Sequence, residues 1–231
     1  MAPARELWVG TRDLVFQDLK KAVTSIKNDS RVVIFKSLGK GFCAGADLKE
    51  RSIMNDTEAL TTLQKYRDLF NDIYEINCPT IARIHGFALG GGLELAMCCD
   101  FRVAIEQTVL GFPETSIGII PGAGGTQRFS KLIGIGKAKE WIFTANRYTA
   151  KEAFEVKVLD LVFKEEQKMD NYIDSFSNEI LKNSKTAIAA SKRAIDYSLN
   201  NSIDKGLDFE RKEYLKTLKS KLRKKTLNRY D

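Results

Sequence analysis

Apolar residues along this chain recur at two spacings, one typical of helices and one typical of buried strands. Apolar side chains three or four residues apart predict amphipathic helices over 14–28 and 58–76, and Pro79 ends the second of these. The same spacing over 137–146 and 150–156 predicts two further helices.

Short β-branched and aromatic runs between the helices predict strands. The predicted strands are residues 31–35, 80–84, 101–105, 109–110 and 159–163. From about residue 165 onward only helical spacing remains. This alternation predicts an α/β fold with a core over 1–164, followed by a helical region over 165–231.

Three consecutive glycines stand directly before a helix-forming run. Gly90, Gly91 and Gly92 lead into this run, which carries Glu94 in its first turn. Glycine lets the backbone approach a ligand closely, and a helix N-terminus offers unpaired N–H groups and a positive dipole end. The segment therefore predicts a pocket that stabilises negative charge developing on a substrate oxygen.

A second segment upstream is built in the same way. The strand at 31–35 is broken by Gly39 and Gly41, and 42–50 then turns into a helix. Two such turns side by side could each aim one backbone N–H at the same oxygen, with Ala46 and Gly91 as the donors. The alternative is that both are tight strand-to-helix connections packed for topology alone.

A third segment contains a second carboxylate and a second glycine-rich turn. Pro113 suits the first position of a helix, and Glu114 follows it where a helix favours negative charge. An ordinary first-turn glutamate remains the structural alternative for both Glu94 and Glu114. The glycine-rich turn at 122–125 follows and leads to Arg128.

Together the three segments resemble the crotonase family, the enoyl-CoA hydratase/isomerase superfamily. The resemblance runs from about residue 18 to 200 and rests on 42–50, 86–100 and 113–128, in family order and spacing. Within the superfamily the chain is most similar to the mitochondrial methylglutaconyl-CoA hydratases that bind AU-rich RNA. The resemblance implies a ClpP-like spiral of ββα turns, a C-terminal helical oligomerisation region, and trimers that often pair into hexamers.

The resemblance also implies roles for individual residues. Ala46 and Gly91 would supply the N–H groups of an oxyanion hole, and Glu94 and Glu114 would be the catalytic carboxylates. Having both acids favours a hydratase over an isomerase, hydrolase or dehalogenase. The implied contacts to the substrate and its CoA come from Ala44, Asp47, Leu48, Lys49, Pro113 and Gly122. The substrate is itself a CoA thioester, so no further cofactor and no metal is expected.

Hydration of a 2-enoyl thioester needs these residue types. Syn addition of water puts negative charge on the thioester oxygen, where two fixed N–H donors stabilise it. We expect Glu94 to take a proton from the attacking water and Glu114 to deliver one to C2, and the two to titrate as a coupled pair. The reaction would serve fatty-acid β-oxidation or branched-chain amino-acid catabolism.

The chain departs from the family pattern at two places before its tail. Relatives open with a strand pair and an Asn-Arg-Pro-type motif, whereas residues 1–11 carry only a short apolar piece at 7–9. We therefore expect the N-terminal strand pair to be missing or truncated. At residue 157, where relatives have a glycine that ends a helix, this chain has Lys157, which would cost about 1 kcal/mol if the backbone there is left-handed.

Composition is ordinary for a globular protein, with 43% hydrophobic and 29% charged residues. No apolar run approaches the length of a membrane span, so no membrane partner is expected. The four cysteines show neither disulfide-framework nor zinc spacing, which fits core thiols in a reducing compartment. A single histidine, His85, excludes a histidine-based metal site and is interpreted as a structural turn residue. It is also the one histidine on which a serine triad could draw, and the chain has no Gly-x-Ser-x-Gly elbow.

The excess positive charge is concentrated at the C-terminus. Residues 205–231 contain ten basic and four acidic side chains, and so account for six of the net charge of +7. Three interpretations of the basic run at 219–226 stay open: a solvated helix face, a contact to CoA phosphates, or binding of RNA or another polyanion. RNA binding is possible but not favoured, because only Lys21 matches the lysine comb of the RNA-binding relatives, where Asp13 and Gln17 stand at the other positions.

The main rival to a hydratase is a catalytically impaired crotonase-fold protein that serves as a binding or subunit-interaction module. The altered N-terminus and tail favour this rival, whereas the intact pair Glu94 and Glu114 favours the enzyme. By analogy with mitochondrial relatives we expect the mitochondrial matrix as the location, with the cytoplasm as the alternative. The sequence does not identify the acyl group.

Overall fold

The structure, a computed structural model, describes residues 5–8, 13–26, 30–220 and 223. Its elements in chain order are β1 (Arg5–Trp8), α1 (Asp13–Thr24), β2 (Val33–Lys36), α2 (Leu48–Ser52), α3 (Asp56–Tyr74), β3 (Thr80–Ile84), β4 (Phe87–Leu89), α4 (Gly91–Ala96), β5 (Phe101–Ile105), β6 (Val109–Gly111), a 3-10 helix (Pro113–Ile117), α5 (Gly125–Ile133), α6 (Ile135–Thr144), β7 (Arg147–Thr149), α7 (Ala150–Glu155), β8 (Leu161–Phe163), α8 (Glu166–Leu181), α9 (Lys185–Ser198) and α10 (Ile203–Leu218). The predicted α/β class is confirmed.

Two sheets form the core of the molecule. The larger sheet is parallel, with the strand order β1-β2-β3-β5-β8, and the smaller has the order β4-β6-β7 with β6 and β7 antiparallel. From β3 to β6 the chain steps between the two sheets at every strand. This stepping is the spiral that the resemblance implied.

The large sheet is buried on both faces. Val33 and Phe35 of β2 pack into the main core, whereas Val32 and Ile34 point to a second cluster that includes Met169 of α8. Successive side chains of a strand point to opposite faces, so a strand buried on both sides is apolar at every position. This accounts for the unbroken apolar run in the sequence.

Strands β3 and β5 and the C-terminal helices form where the sequence predicted them. Two three-residue strands, β4 and β7, were not predicted, and α5 was read only as a glycine-rich turn. Short strands carry little periodic signal, because three residues allow a single alternation. These three elements were therefore missed.

At the N-terminal edge, β1 pairs in parallel with β2, and Leu7 lies opposite Phe35. One strand of the region expected to be missing or truncated is therefore present. Leu7 is buried in the main core, so this edge contributes apolar contacts as well as backbone hydrogen bonds. Residues 1–4 and 9–12 lie outside the described part of the chain.

The C-terminal helices divide into two groups. Helix α8 packs on the large sheet through Met169 and Ile173, so the first helix after the predicted boundary at 165 adjoins the core. Helices α9 and α10 pack on each other, with the rings of Tyr197 and Phe209 stacked 4.1 Å apart. The division into 1–164 and 165–231 stays a prediction. The basic run at 219–226 lies outside the described residues except at positions 219, 220 and 223.

No helix in the described ranges combines the length and the apolar content that crossing a bilayer requires.

Lys157 adopts the left-handed conformation that was expected from the glycine of the family pattern at this position. Its φ is 67°, in the region that favours glycine, and its N–H donates to the Phe154 carbonyl at 3.0 Å as α7 ends. Lys157 and Ala145 are the non-glycine residues with positive φ in the described part of the chain. The backbone strain at Lys157 follows from the clash of its Cβ with the following carbonyl oxygen.

Lys157→Gly is expected to stabilise the protein by about 0.5–1 kcal/mol, because glycine adopts this conformation without a Cβ clash. The matched control is Lys151→Gly in the first turn of α7, where glycine should destabilise by up to about 1 kcal/mol. Urea denaturation of both variants measures the two effects. Destabilisation by both substitutions would show that the left-handed turn carries no strain.

Candidate active site

Glu94 is held in the first turn of α4 by the glycine that precedes this helix. Gly90 has a φ of 52°, and its carbonyl accepts hydrogen bonds from the N–H groups of Leu93 and Glu94. The Glu94 side chain is 4% exposed. Its Oε1 accepts hydrogen bonds from the N–H of Ala123 at 2.8 Å and of Gly125 at 2.7 Å.

Two opposing effects set the charge of Glu94. Burial raises its pKa, because a carboxylate loses hydration in the protein interior. The two N–H donors at Gly125 and Ala123 lower it, as do the positive charges of Arg128 and Arg51. Burial is the larger effect, so the pKa of Glu94 is raised overall while its charged form retains specific partners.

Glu114 lies at the start of the 3-10 helix, directly after Pro113. Its side chain is buried, and Oε2 has no hydrogen-bond partner among the described residues. Burial, with a smaller contribution from the nearby negative charge of Glu94, raises the pKa of Glu114 to about 7. Glu114 is therefore the member of the pair that more readily holds a proton near neutral pH.

The two predicted N–H donors lie beside both carboxyl groups. A Cβ added to Gly91 would be 3.9 Å from the Ala46 nitrogen and 3.9 Å from Glu94 Oε2. A Cβ added to the neighbouring Gly90 would meet Glu114 Oε1 at 2.7 Å. The N–H groups of Ala46 and Gly91 donate no hydrogen bond within the described ranges. All four predicted groups therefore border one small space.

Close backbone contacts bring the two turns together. Cys43 pairs with β4, accepting from the N–H of Leu89 at 3.0 Å and donating to the Phe87 carbonyl at 3.2 Å. A Cβ at Gly92 would lie 2.1 Å from the Cys43 carbonyl oxygen, and one at Gly45 would lie 2.8 Å from the Gly91 nitrogen. Glycine is required at both positions for these backbones to meet.

The remaining predicted residues lie around this space in differing surroundings. Ala44, Leu48 and Lys49 are exposed, and Leu48 is 59% exposed. Asp47 caps α2 by accepting from the Lys49 N–H at 2.8 Å, which is a local structural role. Gly122 packs against Leu63, since a Cβ there would meet Leu63 Cδ1 at 2.9 Å. Contacts of these residues and Pro113 to a substrate stay predictions.

Four residues of the site were not predicted from the sequence as part of it. The backbone N–H groups of Ala123 and Gly125 bind Glu94, and the charges of Arg51 and Arg128 act on it. The glycine-rich turn at 122–125 was the available signal for the first two. A helix beginning at Gly125 would have offered N–H groups to a carboxylate, but α5 itself was not predicted.

The enoyl-CoA hydratase/isomerase family model matches residues 12–231 of this chain. The chain belongs to this family. Relatives include the enoyl-CoA isomerase/hydratase fer4 of Mycosarcoma maydis, 40% identical over 212 residues, which span 90% of this chain and 77% of fer4. The mitochondrial methylglutaconyl-CoA hydratase of Mus musculus is 41% identical over 210 residues, which span 88% of this chain and 67% of that protein.

The fold of this family member matches solved structures of the same family. The crystal structure of an enoyl-CoA hydratase from Bacillus anthracis superposes with a TM-score of 0.90 and 37% identity, covering 96% of this chain and 86% of that one. The predicted crotonase fold is therefore confirmed. Within the described residues, no group of three or more His, Cys, Asp or Glu side chains is arranged to hold a metal ion.

Glu114→Gln is expected to raise the melting temperature more at pH 8 than at pH 5. The pKa of Glu114 is about 7 in the folded protein, against an ordinary value of 4.5. The folded state therefore holds an extra proton between these values, and stability falls as the pH rises through this window. Glutamine is neutral at both pH values, so the variant does not lose stability in this way.

Thermal unfolding at pH 5 and pH 8 measures the change in melting temperature, with Glu106→Gln at an exposed position as the control. An equal gain at both pH values would contradict the raised pKa.

Proposed function

We propose that this chain is an enoyl-CoA hydratase, which adds water across the double bond of a 2-enoyl-CoA thioester. Members of its family act on CoA thioesters, so the substrate class follows from membership. The observation that supports hydration is the pair of buried carboxyls with unequal partners. Glu94 accepts two N–H hydrogen bonds, whereas Glu114 Oε2 has no partner among the described residues.

In this proposal the thioester oxygen binds between the N–H groups of Ala46 and Gly91. Negative charge develops there as water attacks C3, and the two donors stabilise the resulting enolate. Loss of one such donor costs roughly 3 kcal/mol of transition-state stabilisation in comparable sites. Because the donors are held by backbone contacts between two turns, they need no rearrangement during the reaction.

The two carboxyls divide the proton transfers. Glu94, ionised, takes a proton from the water that attacks C3. Glu114, protonated, gives a proton to C2 on the same face, which makes the addition syn. After one turnover Glu94 holds the proton and Glu114 has lost one. A proton must then return to Glu114 before the next cycle, as expected of a coupled pair.

Isomerisation is the second candidate activity. The relative fer4 is named an isomerase/hydratase, and the same carboxyls could move a proton between C2 and C4 of a 3-enoyl-CoA. The two activities differ in product, since hydration gives a 3-hydroxyacyl thioester and isomerisation gives a shifted double bond. A catalytically impaired binding protein is the remaining alternative.

We also propose that the chain assembles into trimers or hexamers through the α9–α10 hairpin, since family members are usually oligomeric. Apolar side chains on this hairpin remain exposed in the single chain. They are Ile195, Leu199, Ile203, Leu207, Tyr214 and Leu215. Burying such a face against another copy is the usual way to remove it from water.

For location we propose the mitochondrial matrix, with the cytoplasm as the alternative. The support is that the methylglutaconyl-CoA hydratase relative is mitochondrial. Fluorescence microscopy of the tagged full gene product tests this location, and a diffuse cytoplasmic signal would favour the alternative.

Purified protein is expected to hydrate crotonyl-CoA, seen as loss of the enoyl-thioester absorbance. Glu94→Gln and Glu114→Gln should each lower kcat by about 10²–10⁴-fold, because each carboxyl moves a proton in the transition state. Binding of unreactive butyryl-CoA, measured by calorimetry, should change little, because glutamine keeps the shape of the side chain. Folded wild-type protein that is inactive on short, medium and branched enoyl-CoAs would exclude the hydratase.

The pH profile of kcat/KM should fall on both sides of an optimum. It falls below the optimum as Glu94 becomes protonated, and above about pH 7 as Glu114 loses its proton. Residual activity of Glu114→Gln should lose the alkaline limb and keep the acidic one. An alkaline limb retained by this variant would assign it to another group.

Replacing Ile203 and Leu207 together by lysine should convert the assembly to monomers, because two charges would have to be buried in the interface. Analytical ultracentrifugation measures the mass. Lys205→Glu on the same helix is the control and should leave the mass unchanged. Wild-type protein that sediments as a monomer would overturn the assembly proposal.

A further inference from the structure

Arg128 lies behind the turn that holds Glu94, on α5 one helical turn after Gly124. Its Nη1 donates to the Ala123 carbonyl at 3.3 Å. A Cβ at Gly124 would lie 2.1 Å from that Nη1, so the guanidinium packs directly on the Gly124 backbone. Gly124 has a φ of 113°, which an L side chain rarely adopts.

The other end of the guanidinium is anchored on α3. Nη2 donates to Asn71 Oδ1 at 2.7 Å, and the Arg128 guanidinium carbon lies 5.4 Å from the centre of the Tyr74 ring. Burial raises the pKa of Tyr74 to about 12, so this ring stays neutral near pH 7. The two terminal nitrogens of Arg128 therefore link α3 to the 123–125 turn.

The turn that Arg128 supports supplies both hydrogen bonds to Glu94. Ala123 donates its N–H to Glu94 Oε1, while its carbonyl accepts from Arg128. Gly125 donates the second bond, and the Gly124 carbonyl between them accepts from the Arg128 backbone N–H at 2.8 Å. Moving Arg128 would therefore move both donors at once.

We propose that Arg128 is a positioning residue that holds the 123–125 turn against Glu94 and supplies the positive charge that keeps this carboxylate ionised. The inference rests on the proposed role of Glu94 as the base. The contacts of Arg128 run to the turn, to Asn71 and to the Tyr74 ring, with no hydrogen bond to the Glu94 carboxyl in the described part of the chain, so Arg128 acts through the turn and through its field.

The charges around Glu94 make this role specific to one carboxyl. Arg51 on α2 favours the charged form of both Glu94 and Glu114, whereas Arg128 on α5 favours that of Glu94. From the 3-10 helix, Glu114 faces Glu94 with a like charge when ionised. Cys98, in the turn just after α4, donates its thiol to the Glu94 carbonyl at 3.2 Å and is neutral because burial raises its pKa to about 12. Arg128 thus separates the two carboxyls in their affinity for a proton.

Lysine could supply the charge but not both contacts. The two terminal nitrogens of the guanidinium donate separately to Ala123 and Asn71, whereas a lysine side chain ends in one nitrogen that cannot occupy both positions. Arg128→Lys therefore separates the electrostatic part of the role from the positioning part. Arg128→Met removes both parts and retains most of the side-chain volume.

The test measures the Glu94 titration directly, by carbon NMR of protein labelled at the glutamate carboxyls, with the signal assigned from Glu94→Gln. In Arg128→Met the pKa of Glu94 should rise by about one unit. The acidic limb of kcat/KM should move to higher pH by the same amount, and kcat should fall roughly 10- to 100-fold with little change in KM. Arg128→Lys should shift the Glu94 titration less than Arg128→Met does, because it keeps the charge, and should lose about tenfold in kcat.

Lys131→Met, on the same helix and bonded to Asn200 instead, is the control and should leave the titration and kcat unchanged. If Arg128→Met does not fold, Arg128→Lys and Asn71→Ala still test the positioning part through kcat. An unmoved Glu94 titration in folded Arg128→Met, or full activity in Arg128→Lys, would overturn the inference. A shifted titration in an enzyme whose wild type hydrates nothing would instead refute the hydratase and leave the positioning contact standing.

Discussion

The close contact between two backbone turns is the constraint on which the rest of the site depends. Cys43 pairs with β4, and Gly92 stands where any Cβ would collide with the Cys43 carbonyl. This contact brings Ala46 and Gly91 beside each other and leaves their N–H groups without partners in the described structure. The helix after the second turn then directs Glu94 into the same space. Glycine is needed because side chains would separate the turns.

Burial of two carboxyls works against the stability of the fold. Each must give up hydration, and the structure compensates them unequally, with two N–H groups for Glu94 and none in the described residues for Glu114 Oε2. The proposed reaction uses this inequality, with Glu94 acting in its charged form and Glu114 in its protonated form. The positive charge of Arg128, whose guanidinium packs on the Gly124 backbone, lowers the pKa of Glu94 and so adds to this difference.

Much of the fold and part of the site could be predicted from the sequence. Strands β3 and β5 are long and apolar enough to be predicted from their own residues. The glycines at 90–92 followed by Glu94 predicted a helix N-terminus that carries a carboxylate. By contrast, β4 and β7 span three residues each, and the α5 N-terminus follows glycines that carry no helical preference. The donors of the Glu94 hydrogen bonds lie in that unpredicted region.

The sequence by itself determined which glycines and which two glutamates could form the site, and it indicated the family to which the chain belongs. It also located the strained position at Lys157, because the family pattern has a helix-ending glycine there and glycine is the residue that a left-handed turn favours. Only the tertiary structure decided that Glu94 and Glu114 are buried to different degrees with different partners, and that the Arg128 guanidinium packs on the turn that binds Glu94. Those properties depend on contacts between residues about 20 to 60 positions apart, which the spacing of residues along one chain does not encode.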